Sequence, residues 1–335
     1  MQIMKKAVFI VIMIAGMADA FAQDPQFSQF YSNYLYLAPS FAGLSGKNRI
    51  TANYRNQWPE IDNGFETYSV SFDMFIDKFS SGFGLLAYQD VAGSGKLRNT
   101  SIGIQYAYDF NITKSWHLRP GLHFNYTQRG IDFSKLIWSD QISPDQIYPE
   151  TGELLPMENI GDIDFATSLI AYSERAWFGT SIDHLLRPNQ SFYYYDEEQG
   201  NPAKVPVKYT FFGGVKFTMP QQLLRPVPTT IQLAFLYKQQ EEFRQLDFGV
   251  YWYRNPVVIG VWYRGIPFYK ETFNRDAITF LVGLKTGNFN IGYSYDLTIS
   301  RLITNTGGAH EISVSYLFRI KPIKHKPKAI PCPEF

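Results

Sequence analysis

The sequence predicts an all-β fold, a transmembrane antiparallel up-and-down β-barrel of the outer-membrane type with about 14 strands. Two patterns carry this prediction. Apolar and polar residues alternate with the two-residue period of a β-strand, and long and short connections alternate between the strands. The composition agrees, because aromatic residues make up 17% of the chain although its mean hydropathy is only -0.20. Strands with one apolar and one polar face would account for both values.

Residues 1–22 have the pattern of a secretory signal peptide. Lys5 and Lys6 precede an apolar run, and residues 20–22 (Ala-Phe-Ala) offer a cleavage site. A membrane-anchoring helix is the alternative, but the uncharged run is short for a span. No cysteine follows the site, so a lipid anchor is not expected. We expect an exported protein in the outer membrane of a Gram-negative bacterium, cleaved near Ala22.

The mature chain divides into a short leader, a barrel and a tail. The expected strand spans are 48–58, 67–75, 81–90, 99–110, 115–128, 163–172, 176–185, 206–218, 229–239, 245–253, 257–264, 276–286, 289–299 and 309–319. Long loops of such barrels face outside the cell, which puts both termini in the periplasm. We therefore expect a plug-like segment 23–47 at the periplasmic mouth or inside, a barrel over 48–319, and a periplasmic tail over 320–335.

Soluble β-sandwiches and propellers also alternate apolar and polar residues. Neither fold predicts that long and short connections alternate. A propeller also requires a repeat of about 40 to 50 residues, which the sequence lacks. Aromatic residues near strand ends are the expected interfacial girdles of a membrane barrel; these are Trp58, Trp116, Trp177, Tyr251, Trp252, Tyr253 and Trp262.

Charge and cysteine content exclude several classes of function. The 31 basic and 30 acidic residues balance, so nucleic acid is not an expected partner. Cys332 is the single cysteine, which excludes a disulfide scaffold. The five histidines lack the spacing of a metal site, and no cofactor is expected. Asp183-His184 and His310-Glu311 suggest a barrel hydrolase, but adjacent strand residues point to opposite faces, so we expect no enzyme.

Charged residues on the polar faces are expected to form a network in the lumen. Arg49 and Asp73 lie level on neighbouring strands, and closure of the barrel brings Arg55 close to Glu311, with Asp296 one strand further on. These five residues are predicted to pair along the wall. The alternative is a selectivity constriction.

Other residues are candidates for contacts with protein partners. Exposed aromatic side chains suit such contacts, although the loop aromatics could equally fold back as a plug, and the tail could be a disordered terminus. The candidates are Phe27 and Phe30 in the leader, Trp138, Tyr193, Tyr194 and Tyr195 in the long loops, and Cys332 and Phe335 in the tail.

Several motifs resemble those of the PorP/SprF family of outer-membrane proteins. They are Gln-Asp-Pro-Gln-Phe-Ser-Gln-Phe (23–30), Tyr-Leu-Ala-Pro-Ser-Phe-Ala-Gly (36–43), Tyr-Arg-Asn-Gln-Trp (54–58), Gly-Tyr-Ser-Tyr-Asp (292–296) followed by His-Glu-Ile (310–312), and the Cys-Pro-Glu-Phe end (332–335).

The resemblance implies a component of the type IX secretion system or its gliding-motility branch. Such a protein would support export or surface anchoring of large cargo such as adhesins. Its partners would be outer-membrane lipids, the cargo, and periplasmic ring components or a peptidoglycan-linked lipoprotein. The resemblance brings no catalytic residues with it. A passive diffusion porin is the alternative function.

Overall fold

The computed structural model describes residues 24–143, 146–153, 155–192, 203–219, 228–266, 274–300 and 306–319. One antiparallel sheet dominates this part of the chain, and none of its helices is long and apolar enough to cross a bilayer. The strands are β1 Asn48–Gln57, β2 Phe65–Ile76, β3 Ser81–Ala92, β4 Leu97–Tyr108, β5 Phe110–Asn111, β6 His117–Gly130, β7 Asn159–Tyr172, β8 Ala176–Asp183, β9 Lys208–Met219, β10 Thr229–Gln240, β11 Phe243–Arg254, β12 Val257–Ile266, β13 Asn274–Thr286, β14 Phe289–Thr298 and β15 Ala309–Phe318.

The sheet closes on itself as an up-and-down barrel. The wall strands pair in chain order, β4 pairs directly with β6, and β1 pairs with β15. The two-residue β5 only extends the pairing with β6, so fourteen strands form the wall. Closure gives each strand two neighbours for its backbone hydrogen bonds, which lipid could not satisfy. The predicted fold is confirmed, and every predicted span overlaps one wall strand.

The two ends of the barrel differ. We call the end with connections 58–64, 93–96, 131–158, 184–207, 241–242, 267–273 and 299–308 the long-loop end, and the other the short-turn end. The alternation is weaker than predicted, because the expected long gap 240–244 is only the turn 241–242 between β10 and β11. No loop covers the lumen from that position.

The wall is polar inside and apolar outside. In β1, Arg49, Thr51, Asn53 and Arg55 are buried in the lumen, whereas Ile50 between them is 43% exposed on the outer face. Alternating side chains of a strand point to opposite faces, and hydrocarbon is the solvent of the outer one. The predicted alternation of an apolar and a polar face is therefore found in β1, with the polar face towards the lumen.

The aromatic-girdle prediction is wrong for three residues. Trp177, Tyr251 and Trp262 are only 2%, 1% and 3% exposed and point into the lumen. Trp116 and Trp252 are 42% and 37% exposed, as a girdle requires. Position near a strand end does not reveal which face an aromatic residue occupies when the lumen also contains apolar groups.

Residues 24–47 fill the lumen, and we call this segment the plug. Tyr31 and Phe41 in its middle are completely buried. Asp24 contacts Lys208 at the long-loop end, whereas residue 47 leads into β1 at the short-turn end. The plug therefore crosses the lumen, and Asp24, its first described residue, lies at the end of the barrel opposite to the start of β1. Residues 1–23 and 320–335 lie outside the described residues.

Candidate functional site: the lumen and its plug

The plug is built from short turns. Its regular pieces are one helical turn, Tyr34–Leu37, and a 3-10 turn, Pro39–Phe41. The 3-10 turn begins with proline, whose fixed φ suits the first position of a helix. Such turns leave backbone N–H groups without partners, and the wall supplies acceptors. The Ser40 N–H donates to the Ser168 hydroxyl at 2.8 Å. The plug is thus fixed to the wall through its own backbone.

A charged cluster on β1, β12, β14 and β15 holds the first turn of the plug. The backbone N–H groups of Ser28 and Gln29 donate to the Glu311 carboxylate at 2.6 and 3.2 Å. The Ser28 hydroxyl donates to Asp296 at 2.5 Å and accepts hydrogen bonds from Arg55 and Arg264. One serine therefore completes a network of buried charges from four strands.

Within this cluster each guanidinium faces carboxylates. Arg55 lies 2.9 Å from Asp296 and 3.6 Å from Glu311, and Arg264 lies 3.0 Å from Asp296. The side chains of Arg55, Asp296 and Glu311 are at most 3% exposed. Buried ions at such depth are stable only when paired and hydrogen-bonded, so the cluster depends on all of its members.

A second anchor lies at the short-turn end. Arg49 pairs with Asp73 at 2.8 Å, and the other oxygen of that carboxylate accepts the Gly43 N–H at 3.0 Å. The Arg49 guanidinium also stacks 4.3 Å from the centre of the Tyr34 ring. Gly43 has φ +70°, which an L side chain rarely adopts. The last turn of the plug is therefore specified both by charge and by glycine.

A third anchor, which we call the latch, fixes Asp24 at the long-loop end. The Asp24 carboxylate lies 2.5 Å from the Lys208 ammonium and 2.9 Å from His184 Nε2. His184 Nδ1 lies 2.6 Å from Asp164, and Lys208 lies 3.3 Å from Asp183. The latch joins the plug to β7, β8 and β9.

The electrostatics of the latch favour charged forms. Burial opposes the charge of His184, but Asp24 and Asp164 outweigh it and raise the pKa of His184 to about 10. Burial also opposes the charge of Asp24, yet His184 and Lys208 hold the pKa of that carboxyl well below its ordinary value of 3.8. At neutral pH His184 and Asp24 are therefore both charged.

A different side of the plug, away from the charged cluster, packs against aromatic residues of the wall. Phe30 lies edge-on to Trp262, with ring centres 4.8 Å apart, and Phe41 lies 5.3 Å from Phe212. Tyr31 contacts both Trp262 and Trp177. Edge-to-face pairs contribute about 0.5–1.5 kcal/mol each beyond the burial of their area. This side is a hydrophobic core between plug and barrel.

Inward-facing glycines allow the plug backbone to touch the wall. A Cβ built on Gly82 would lie 1.8 Å from the Ala42 carbonyl oxygen, and one on Gly121 would lie 2.2 Å from the Ser40 nitrogen. Arg119 donates to that same Ala42 carbonyl. Any side chain at Gly82 or Gly121 would displace the plug.

The structure brings the five predicted network residues into two of these anchors. Arg49 pairs with Asp73, and Arg55 meets Asp296 and Glu311. They hold the plug, which the sequence prediction of wall pairing did not include.

The candidate partner contacts have different outcomes. Phe27 and Phe30 are 1% and 4% exposed inside the barrel, so their prediction as partner contacts is wrong, because the wall covers them. Trp138 is half-buried against Phe133 in the connection between β6 and β7, with ring centres 5.9 Å apart. Tyr193, Tyr194, Tyr195, Cys332 and Phe335 lie outside the described residues.

Sequence reasoning missed the latch and Arg264. His184 pairs with Asp164 and Asp24 and not with its sequence neighbour Asp183. The inward parity of Asp164 and Lys208 was a usable signal, because lumen charges need partners. Among the described residues, no group of three histidine, cysteine or acidic side chains could hold a metal ion.

A closed barrel with an apolar outer face and a lumen crossed by its own chain is an outer-membrane-type β-barrel with an internal plug. The family model described as "Type IX secretion system membrane protein PorP/SprF" matches residues 19–316. The chain therefore belongs to the PorP/SprF family. No curated protein matches it.

Solved structures resemble the chain only in general architecture. The toluene transporter TbuX of Ralstonia pickettii has a TM-score of 0.45 at 11% identity, with 91% of this chain and 96% of that chain covered. The P. putida toluene transporter TodX has a TM-score of 0.44 at 7% identity, covering 85% and 93%. BamA from Haemophilus ducreyi has 0.38 at 7%, covering 82% and 70%. Likeness at this level says nothing about substrates.

Proposed function

We propose that this outer-membrane protein is a plugged platform of the type IX secretion system. It supports export or surface anchoring of large cargo proteins such as the adhesins of gliding motility. Membership of the PorP/SprF family supports the secretion role. The observation that carries the platform role is the plug, which occupies the lumen and is anchored at both ends. A barrel filled in this way is suited to presenting surfaces rather than to conducting solutes.

The two ends of the barrel would face different partners. The long-loop end would face outside and contact cargo, and Ile137 in connection 131–158 is 59% exposed there. The short-turn end, with the tail 320–335, would face periplasmic ring components or a peptidoglycan-linked lipoprotein. The apolar outer face would contact outer-membrane lipids.

The protein is proposed to be non-enzymatic. A carboxylate, that of Asp164, orients Nδ1 of His184, as in many catalytic histidines. Its Nε2 is bonded to the second carboxylate, that of Asp24, so neither ring nitrogen is free to take a proton from a nucleophile.

Site-specific photocrosslinking in native cells tests the platform role. A photoreactive residue at Ile137 is compared with one at Ile112, which is also 59% exposed but lies at the short-turn end. We expect large secreted proteins to crosslink at residue 137 and periplasmic secretion components at residue 112. Recovery of neither class at either position would contradict the proposal.

Planar bilayers test the porin alternative. The intact protein is expected to conduct little, because the plug fills the lumen. A large steady conductance of the intact protein would favour a diffusion porin and overturn the platform role.

A further inference from the structure

A groove crosses the outer face of the wall on β2, β3, β4 and β6. Its volume is about 550 Å³, and apolar side chains form its sides. Gly84 and Gln105, which pair across β3 and β4, contribute its floor. The groove lies near the short-turn end, because Met74 and Phe83 on its border are two residues from the ends of β2 and β3 there.

Two neighbouring rows of outward side chains form the sides of the groove. Cross-strand pairing defines the first row as Met74, Phe83, Tyr106 and Leu122, and the second row as Phe72, Leu85, Ile104 and Phe124. Each row crosses four strands, a length of about 14 Å at the ordinary strand spacing of about 4.8 Å. The two rows are two residues apart along each strand, which corresponds to about 7 Å.

The first row is held away from the second row. The Tyr106 hydroxyl lies 2.9 Å from the hydroxyl of Ser81, which is nearer to the short-turn end. The Tyr106 ring therefore leans towards that end. Phe83 lies edge-on to this ring, with ring centres 5.2 Å apart. The two aromatic side chains support each other in this position and keep the groove open.

The distance between the rows suits one hydrocarbon chain and excludes a helix. A chain in contact with carbon atoms on both sides needs about 3.5–4 Å to each, and therefore about 7–8 Å between the rows. A helix with its side chains is about 10–12 Å wide. A partner strand would need an unpaired edge, and β2, β3, β4 and β6 each have two strand neighbours in the described wall.

We infer that the groove binds one acyl chain of a membrane phospholipid in the leaflet at the short-turn end. The groove is continuous with the apolar outer face, whose solvent is hydrocarbon. Its length of about 14 Å is close to half of the roughly 30 Å thickness of the hydrocarbon core, which is the depth that the chains of one leaflet occupy. This binding site is additional to the proposed secretion role and does not depend on it.

Photolabelling of the full-length protein in lipid nanodiscs tests the inference. The probe is a phosphatidylcholine that carries a diazirine in the middle of one acyl chain, added at a low fraction of the total lipid. Labelling at Leu85 and Phe124 is compared with labelling at Val282 and Phe280 on β13. The two pairs are matched in exposure, at 53% and 47% against 53% and 48%.

We expect the groove residues to be labelled about fivefold or more above the β13 residues, because a chain in the groove gains on the order of ten additional carbon contacts. Lipid that contacts the whole wall without preference would label both pairs equally. Equal labelling in the intact protein would overturn the inference.

Ile104→Trp should fill the groove and lower labelling at Leu85 and Phe124 to the level of β13. Ile102→Trp is the matched control, since Ile102 lies one row further from the short-turn end and is 62% exposed against 60% for Ile104. Its labelling should equal that of the intact protein. Full enrichment in folded Ile104→Trp would overturn the inference, and heat-modifiable gel migration checks folding.

Tyr106→Phe is a milder variant that decides if Ile104→Trp does not fold. It removes the hydrogen bond to Ser81 and frees the ring to lean into the groove, so the enrichment should fall. Unchanged enrichment in this variant would contradict a groove held open by Tyr106. Enrichment in nanodiscs together with protection of Leu85 and Phe124 in isolated outer membranes would assign the groove to a protein partner and overturn the inference.

Discussion

The plug contacts two sides of the barrel that differ in their chemistry. Towards β8–β12 the middle of the plug meets an aromatic surface formed by Trp177, Phe212, Tyr251 and Trp262. Towards β1, β14 and β15 it meets Arg55, Asp296 and Glu311, which bind its backbone and hydroxyl groups. Both sides are equally buried, so burial alone does not distinguish them.

The two sides contribute differently to how strongly the plug is bound and to where it is positioned. Aromatic packing is strong but tolerates small shifts, because dispersion and hydrophobic contacts have little directionality. The charged cluster adds little net stability compared with an apolar replacement. However, it accepts the N–H groups of residues 28 and 29 at one register only. We conclude that the aromatic side retains the plug and the charged side sets where it sits.

Displacing the plug as a whole should have the largest effect. Gly82→Val places a side chain against the Ala42 carbonyl. The cost should exceed the roughly 1–3 kcal/mol of ordinary overpacking, because the clash is with backbone. We expect a rise in planar-bilayer conductance. Ala87→Val, on the outer face of the same strand, is the control and should stay closed. A closed Gly82→Val barrel would show that the wall, not the plug, limits conductance.

Breaking the charged side should have the next largest effect. Asp296→Asn leaves Arg55 and Arg264 with one fewer counter-charge in a buried site, and should lower the free energy of unfolding by about 3–5 kcal/mol. Urea titration of the folded protein in lipid vesicles measures this. Asp276→Asn is the control, since Asp276 also lies 3.6 Å from Arg264 but is 42% exposed. Equal losses in both variants would contradict a special role for the buried cluster.

Removing one aromatic contact should cost somewhat less. Phe30→Ala deletes the ring against Trp262 and leaves a cavity, so we expect a loss of about 3 kcal/mol in the same titration. The plug should keep its register, because Ser28 and Gln29 remain bound to Glu311. Distances from a nitroxide on the plug to one on the wall should therefore stay constant in this variant. A shift in these distances would show that the aromatic side sets position too.

The latch should respond to pH with the smallest effect, about 1–2 kcal/mol, the scale of a charge-assisted hydrogen bond. The raised pKa of His184 means that its contribution is complete below its ordinary value of 6.5 and is lost as pH rises through about 10. The lowered pKa of Asp24 means that its own contribution is lost only in acid. Solvent accessibility of a nitroxide at residue 25 should therefore increase at high pH. Other ionisable groups that face the latch are Asp164, Asp183, Lys208, Tyr36, Tyr88 and His123.

His184→Gln is the matched variant for the latch. It should show high accessibility at residue 25 already at neutral pH and no further change as pH rises through about 10. Retained pH dependence in this variant would assign the transition to another group. Phe30→Ala, which alters only the aromatic side, should keep the pH dependence of the intact protein.

Local sequence patterns predicted the barrel, because apolar and polar residues alternate along each strand and so indicate its two faces. The pairing of Arg49 with Asp73 also followed from neighbouring strands, and that of Arg55 with Glu311 from closure. The partners of Asp24 could not be predicted in this way, since His184 is 160 positions away and no strand register connects them. Plug contacts depend on three-dimensional fit inside the lumen.

Two signals in the sequence did point to a filled lumen. Gly82 and Gly84 stand at inward positions of β3, and glycine within a strand often marks the close approach of another backbone. Leu86 follows them on the same inward face. In the structure Leu35 of the plug packs against Gly84. An apolar residue on the polar face of a barrel strand is therefore evidence for an internal segment.

The seam between β1 and β15 joins residues that are among the farthest apart in the chain, with Arg55 opposite Glu311. Contacts of such sequence separation form slowly, because a long loop must close before they are made. The Glu311 carboxylate that completes this seam also binds the N–H groups of Ser28 and Gln29. The leader thus gives the last strand a binding surface beside the first. The plug therefore holds β15 beside β1 from inside the lumen.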